Sequence, residues 1–107
     1  MANKQVTITV LNAAGDMAYS ASVLHVAPGD SIKWSSGANT GAFSLTFTGT
    51  SSPLDEGSPL QSGAGNTVTG TVKSSGASGV YYYSVSATYT PTGGTATDPG
   101  CPEIVVG

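Results

Sequence analysis

Few side chains in this sequence can do covalent or metal chemistry. The 107 residues include one histidine, His25, and one cysteine, Cys101. A Ser-His-Asp arrangement would need His25 as its base, with a nucleophile within hydrogen-bond reach. His25 lies between Leu24 and Val26, and this alternation turns its side chain away from the core. We therefore interpret His25 as a surface residue, and we expect no catalytic residues and no enzyme activity.

The acidic residues also lack the spacing of a reactive site. Asp55 and Glu56 are adjacent in a segment rich in glycine and proline, whereas a glycosidase needs two carboxyl groups facing each other across a cleft. No loop has the alternating acidic residues of a dedicated calcium site. Asp30 and Asp98 fit turn positions. We expect no metal site and no cofactor.

Cys101 is a candidate for contact between molecules. A single cysteine cannot form a disulfide within the chain, so it is either a free thiol or half of an intermolecular bridge. The neighbouring sequence lacks the positive charges that activate a thiol. We interpret Cys101 as a candidate intermolecular thiol without catalytic function.

The charge balance excludes several classes of partner. Charged residues make up 8% of the chain, and its three basic residues are all lysines. Without arginine or a basic stripe, we expect no nucleic-acid partner. No apolar run approaches the ~20 residues needed to cross a bilayer, so we expect no membrane span.

The composition is typical of a folded domain. The hydrophobic fraction is 38% and the net charge is −3, which disfavours disorder. Low charge and many hydroxyl side chains favour an exported or cell-surface protein. The given chain, however, starts without the basic-then-apolar layout of a signal peptide, so its compartment stays unassigned.

Alternation of apolar and polar residues is the main structural signal. It predicts about seven strands, in segments 6–10, 24–26, 32–34, 43–48, 68–72, 81–85 and 104–106, together with a short one near 18–22. We predict long connections at 49–66 and 91–102, with one turn of helix at 54–57. The prediction is an all-β fold, a two-sheet antiparallel Greek-key sandwich, with residues 1–107 as a single domain.

Three segments resemble cupredoxin-like domains. The run from Leu24 to Trp34, LHVAPGDSIKW, resembles the second and third strands of that family around its Gly-Asp turn. The run from Gly79 to Val85, GVYYYSV, resembles the penultimate strand, whose pattern is Gly-x-Tyr-x-Tyr-x-Cys. The ending DPGCPEIVV resembles cupredoxin-like domains that have lost copper. The resemblance is to domains of the plastocyanin and azurin type, and it implies the β-sandwich that the alternation also predicts.

The copper ligands implied by the resemblance do not carry over. A blue-copper centre needs a thiolate, two imidazoles and a weak axial ligand. On this alignment the family's cysteine falls at Val85, one histidine near Phe43 and the other near Thr88, while Cys101 lies about sixteen residues beyond the thiolate position. We therefore expect no type-1 copper.

The tyrosines are the candidate contact residues. Alternation predicts that Tyr81 and Tyr83 pack in the core with Trp34, and that Tyr82 faces outward. Tyr19 and Tyr89 are further candidates for outward-facing contacts. An exposed tyrosine beside serine and threonine can stack on a sugar ring or on a partner protein.

Two hypotheses of function remain open. The first is a non-catalytic structural or protein-interaction module that binds another protein or copies of itself, because so few lysines protect its strand edges. The second is a binding module for carbohydrate or another neutral small ligand, using Tyr82, Tyr89 and the loops 49–66 and 91–101. A row of exposed aromatic side chains would favour the second.

Overall fold

The computed structural model describes residues 3–48, 52–63, 65–75, 78–98 and 102–107, which form β-strands and no helix. The strands are β1 (Asn3–Val10), β2 (Met17–Tyr19), β3 (Val23–Val26), β4 (Ser31–Ser36), β5 (Thr40–Phe47), β6 (Leu60–Gln61), β7 (Thr67–Thr71), β8 (Gly79–Tyr89), β9 (Gly94–Asp98) and β10 (Glu103–Val106). Two of these ten strands, β6 and β9, lie within the segments predicted as irregular connections. The predicted helical turn at 54–57 is instead a β-bridge from Leu54 to Val72, followed by a turn.

The strands form two sheets that enclose one core between them. The order of the four-stranded sheet is β2-β1-β4-β7, and that of the six-stranded sheet is β3-β10-β8-β5-β6. Strand β9 pairs with the second half of β8, from Val85 to Tyr89, while β10 pairs with the first half, from Gly79 to Tyr82. The all-β sandwich predicted from the sequence is confirmed.

The prediction of a purely antiparallel sandwich is wrong. Strand β1 runs parallel to β4, and β10 runs parallel to β3, whereas the other pairs are antiparallel. The reason is the path of the chain: β3 and β4 are consecutive but lie in different sheets. The Pro28-Gly29 turn therefore carries the chain between the sheets rather than closing a hairpin. Alternation sets the face on which each side chain lies but not its pairing partner.

The turn between β3 and β4 is held by Asp30. Its buried carboxylate accepts a hydrogen bond from the backbone N–H of Ala27 at 2.9 Å, and its own N–H donates to the Ala27 carbonyl at 3.1 Å. Gly29 has a φ of 88°, a value that glycine adopts without a steric penalty. The turn residues expected from the sequence thus fix the end of β3.

Alternating side chains from both sheets fill the core. Val6, Ile8 and Val10 of β1 are buried, as are Leu45 and Val85 of the opposite sheet. The aromatic centre consists of Trp34, Tyr83 and Phe47, with ring centroids 6.0 Å apart for Trp34 and Tyr83 and 5.4 Å apart for Phe47 and Tyr83. Tyr81 differs from its prediction: it is only half-buried and packs against this core from the first half of β8.

Candidate interaction surface

The outer face of the six-stranded sheet exposes a cluster of apolar side chains, here called the apolar patch: Val23, Val80, Tyr82 and Val105. Three of them are among the exposed large hydrophobic residues of the described chain, with Val80 50%, Tyr82 48% and Val23 46% exposed. Val105 is half-buried between them. Leu11 is also exposed, but it lies at the end of the β1–β2 hairpin. Three of the four exposed large hydrophobics of the described residues thus lie on β3 and β8, the two strands that flank β10.

Strand register places the apolar patch in two adjacent rows. Glu103 of β10 is paired with Val23 on one side and with Tyr82 on the other. Two residues further along, Val105 is paired with His25 and with Val80. Residues directly opposite each other have Cβ atoms ~5 Å apart, so side chains within each row are in contact range.

The strands around this surface carry almost no charge. None of the six strands in the sheet contains a lysine, and their two acidic residues are Glu103 and Asp98. Exposed edges are usually protected by lysine, proline or a bulge. Strand β3, at the edge next to the apolar patch, has none of these within Val23–Val26.

The other half of the same face is polar but uncharged, and is here called the hydroxyl surface: Ser44, Gln61, Ser86, Thr88, Thr95 and Thr97. Gln61, Ser44, Ser86 and Thr97 are paired across four neighbouring strands, and the Ser86 and Thr97 hydroxyls are 3.1 Å apart. A shallow depression of about 280 Å³ lies among most of these side chains, beside Ala42. Its lining can offer hydrogen bonds to a neutral ligand but no charge.

The three candidate tyrosines do not form a row. Tyr82 lies in the apolar patch, while Tyr89 lies seven residues along β8 on the opposite face. Tyr19 and Tyr89 differ from the expectation that they face outward, because both are half-buried and pack against the core. An odd separation along a strand reverses the side-chain direction, which accounts for Tyr89.

Tyr19 is held by a contact between the two sheets. Its hydroxyl donates a hydrogen bond to Asp98 Oδ2 at 2.7 Å, so β2 of one sheet is tied to β9 of the other. Its oxygen is also 3.5 Å from Met17 Sδ. Asp98 was expected to serve a turn, and it instead ends β9 as this acceptor. The strand β9 that positions it was not predicted from the sequence.

The positions aligned with copper ligands hold ordinary core and surface residues. Val85 and Phe43 are buried in the hydrophobic core, and Thr88 is half-buried on the outer face. His25 is exposed on β3, two strands away from β8 in the sheet order. Among the described ranges, no three His, Cys, Asp or Glu side chains lie together as a metal site would require.

Asp55 and Glu56, the adjacent acidic pair, are both hydrogen-bonded to the backbone of β7. Asp55 and Glu56 are exposed in the turn after Leu54. The Asp55 backbone N–H donates to the Thr71 carbonyl at 2.9 Å, and Glu56 Oε1 accepts from the Thr71 N–H at 2.8 Å. These bonds extend the edge of β7. Cys101, the predicted intermolecular thiol, lies outside the described residues.

The fold is similar to that of solved structures, although the comparisons with family models and with curated proteins found no match. A mutant of amicyanin in its reduced Cu(I) form at pH 4 is similar with a TM-score of 0.52 and 17% identity, covering 94% of this chain and 80% of the amicyanin. A purple cupredoxin from Nitrosopumilus maritimus is similar with a TM-score of 0.51 and 15% identity, covering 97% of this chain and 99% of the cupredoxin.

The chain has a cupredoxin-like fold. This likeness concerns the fold, since both identities are below 20%. Within this cupredoxin-like sandwich, the segment from Leu24 to Trp34 supplies β3, the Pro-Gly turn and most of β4, as the sequence resemblance implied. The described residues contain no helix long and apolar enough to cross a membrane.

Three members of the apolar patch were missed by the sequence analysis: Val23, Val80 and Val105. The available signal was a local break in alternation, because Ile104, Val105 and Val106 are consecutive apolar residues. A strand that is apolar on both faces is either covered on both sides or exposes an apolar surface. Only the pairing of β3, β10 and β8 shows that these side chains lie together.

Proposed function

We propose that this cupredoxin-like domain is a non-catalytic protein-interaction module, and that the apolar patch is its contact surface. One observation carries the proposal: three exposed large hydrophobic side chains of the described residues lie on β3 and β8, on either side of β10, and β3 is a sheet edge without lysine, aspartate or glutamate. Monomeric proteins rarely expose large contiguous apolar patches, and such patches commonly mark contact sites. Tyr82 supplies a large, rigid side chain at the end of one row, as is common at protein interfaces.

The absence of type-1 copper is part of this proposal. It is supported by Val85 and Phe43 at two of the aligned ligand positions, where their apolar side chains complete the core. Titration with Cu(II) tests it. We expect no intense visible band of a copper–thiolate centre, either in the unsubstituted protein or in the His25→Ala variant. Such a band, retained in His25→Ala, would contradict the proposal.

A non-catalytic role is supported by the placement of the groups that could react. His25 and the Asp55–Glu56 pair lie on different elements, and Glu56 is engaged with the Thr71 backbone. Nothing in the described residues brings an acid, a base and a nucleophile into one cleft. The buried side-chain polar atoms of the described chain all have hydrogen-bond partners, which is typical of a structural core.

The hydroxyl surface favours a second candidate function, the binding of a neutral polar ligand such as a carbohydrate. Its depression is uncharged and lined by hydroxyl and amide groups. Tyr82, the exposed tyrosine that could stack on a sugar, lies in the other half of the face. A glycan array distinguishes the two candidates. Binding that is lost in a Gln61→Ala, Ser86→Ala variant and retained in Tyr82→Ser would favour this second function over the first.

The proposed contact surface is tested by site-specific photo-cross-linking in the cells that make the protein. A photoreactive phenylalanine analogue replaces Tyr82 in one version and Thr97 of the hydroxyl surface in a control version. We expect a discrete protein adduct from position 82, reduced several-fold when Val80 and Val105 are both changed to serine. Equal yields from both positions, or no loss in the serine variant, would rule out the apolar patch as the contact surface.

A further inference from the structure

Strand β3 has backbone groups available for pairing. Glu103 N–H donates to the Ser22 carbonyl at 2.8 Å, and Gly107 N–H donates to the Val26 carbonyl at 3.1 Å. In a parallel ladder the N–H and C=O groups of one residue point to the same side, and successive residues alternate. The groups of Leu24 and Val26 therefore point to β10, and those of Val23 and His25 point away. No other described strand pairs with β3.

The available edge is short and has a defined end. The N–H of Ala27 is bonded to the Asp30 carboxylate at 2.9 Å, and Pro28 follows. Among the described residues, the edge therefore offers two donors and two acceptors, on Val23 and His25. The strand has no charged residue, no proline and no bulge to prevent pairing.

We propose that a second copy of this chain pairs with this edge, antiparallel β3 to β3, about a two-fold axis at Leu24. The proposal rests on the proposed interaction function and adds to it a contact between copies, at the sheet edge beside the apolar patch. A two-fold contact is self-complementary, so the same edge serves in both copies. Other partners, such as an unrelated extended peptide, are outcomes of the test below.

The positions of the free groups select the register. Placing Val23 opposite His25 of the second copy makes four intermolecular backbone hydrogen bonds, two at each such pair. Placing His25 opposite itself would pair Val23 with Ala27, whose N–H is already bonded to Asp30. The register with the two-fold axis at Leu24 therefore uses the N–H and C=O groups of both Val23 and His25 in each copy.

Side chains in this register are complementary. Each Val23 lies between Glu103 of its own chain and His25 of the second copy, because Glu103 is the neighbour of Val23 on β10. An imidazole can donate to a carboxylate across this small valine, while the two Glu103 side chains stay three strands apart. The two outer faces lie on the same side, so the two apolar patches become one continuous surface.

A disulfide tests the register. In a Cys101→Ser background, Leu24→Cys places the two Cα atoms at the close pair on the axis, within the separation that a disulfide requires. Leu24 is buried in the core, so thermal unfolding of the reduced variant is measured first to show that it folds. Val23→Cys is the control, because its Cα is about 8 Å from the same residue in the second copy in this register. We expect a covalent dimer from position 24 and at least tenfold less from position 23. The reverse result would overturn the register.

Light scattering over a concentration series tests the edge itself. His25→Pro removes a free edge donor but no bond to β10, so its thermal unfolding should match the unsubstituted protein. We expect a reductant-resistant dimer whose dissociation constant rises about tenfold or more in His25→Pro and changes less than about twofold in Tyr82→Ser.

The outcomes separate this inference from the proposed function. A dimer weakened by Tyr82→Ser and not by His25→Pro would replace edge pairing with face-to-face association. A monomer at every concentration would overturn pairing between copies, while the position-82 adduct would still support an interaction function with a different protein. A monomer together with no such adduct would overturn both.

Discussion

Trp34 Nε1 donates a hydrogen bond to Tyr83 Oη across 3.3 Å in the core, and neither side chain is exposed. The two rings meet edge to face, with an interplanar angle of 80°. Trp34 belongs to the four-stranded sheet and Tyr83 to the six-stranded sheet, so this bond satisfies two polar groups and joins the two layers. Strand β8, which begins in the apolar patch, is thus anchored directly beside Tyr82.

Tyr83→Phe should destabilise the domain because it leaves the Trp34 N–H buried without an acceptor. We expect a loss of about 1–3 kcal/mol in the free energy of unfolding, measured by urea denaturation. Tyr81→Phe is the matched control: Tyr81 is half-buried two residues away, and the change should cost less than about 0.5 kcal/mol. Equal losses for both variants would show that the buried bond contributes nothing specific.

Stability should fall at alkaline pH in a way that depends on Tyr83. Burial, reinforced by the Asp98 carboxylate and opposed by the Trp34 hydrogen bond, raises the pKa of Tyr83 to about 12. Its pKa in the unfolded chain is about 10. A raised pKa in the folded state adds stability that is complete below pH 10 and is lost as the pH rises from about 10 to 12. The alkaline loss measured by urea denaturation should be smaller in Tyr83→Phe, and an unchanged loss would contradict this assignment.

Gly70→Ala should disturb the packing around Trp34. A Cβ at this position would lie 2.7 Å from Leu54 Cδ1 and 3.3 Å from Trp34 Cζ3, and both side chains are buried. We expect a loss of about 1–3 kcal/mol in thermal or urea unfolding, as is typical of overpacking. Gly94→Ala serves as the control, since the nearest atom to its added Cβ is the exposed Thr92 hydroxyl oxygen, at 3.4 Å. A stable Gly70→Ala protein would mean that the Leu54 side chain can move aside.

Tyr19→Phe should loosen the end of the sandwich where β2 meets β9. The change removes the 2.7 Å bond to Asp98, which connects the two sheets. We expect about 1 kcal/mol of destabilisation and faster amide hydrogen exchange in β2 and β9 than elsewhere. Exchange in β4 is the internal control because β4 lies inside its sheet. Acceleration spread evenly over all strands would show that the bond does not act locally.

The fold was largely predictable because alternation and turn residues act locally. The faces of Val6, Trp34 and Tyr83 follow from a period of two, and the Pro28-Gly29 turn was read correctly as a break. Strand β9 was missed because its glycine- and threonine-rich segment has one buried apolar residue, Ala96, and therefore no apolar period. Strand β9 is defined by its pairing with β8, which the local sequence pattern does not encode.

The candidate site was predictable only in part. Tyr82 was expected to face outward and does so, but its neighbours Val80, Val105 and Val23 come from three strands that are distant in sequence. Parallel pairing of β3 with β10 creates the cluster, and a one-chain pattern of apolar residues does not encode such pairing. Tyr19 is paired with Asp98, seventy-nine residues away, for the same reason.

The central claim is that the apolar end of the outer sheet face, rather than its hydroxyl end, makes the contacts of this protein. Backbone amide chemical shifts, recorded by NMR from dilute to concentrated solution, test it residue by residue. We predict concentration-dependent shifts at Val23, His25 and neighbouring residues of β10 and β8, with Ser44, Ser86 and Thr97 unchanged. Shifts confined to the hydroxyl surface, or none at any concentration together with no adduct from position 82, would contradict the account.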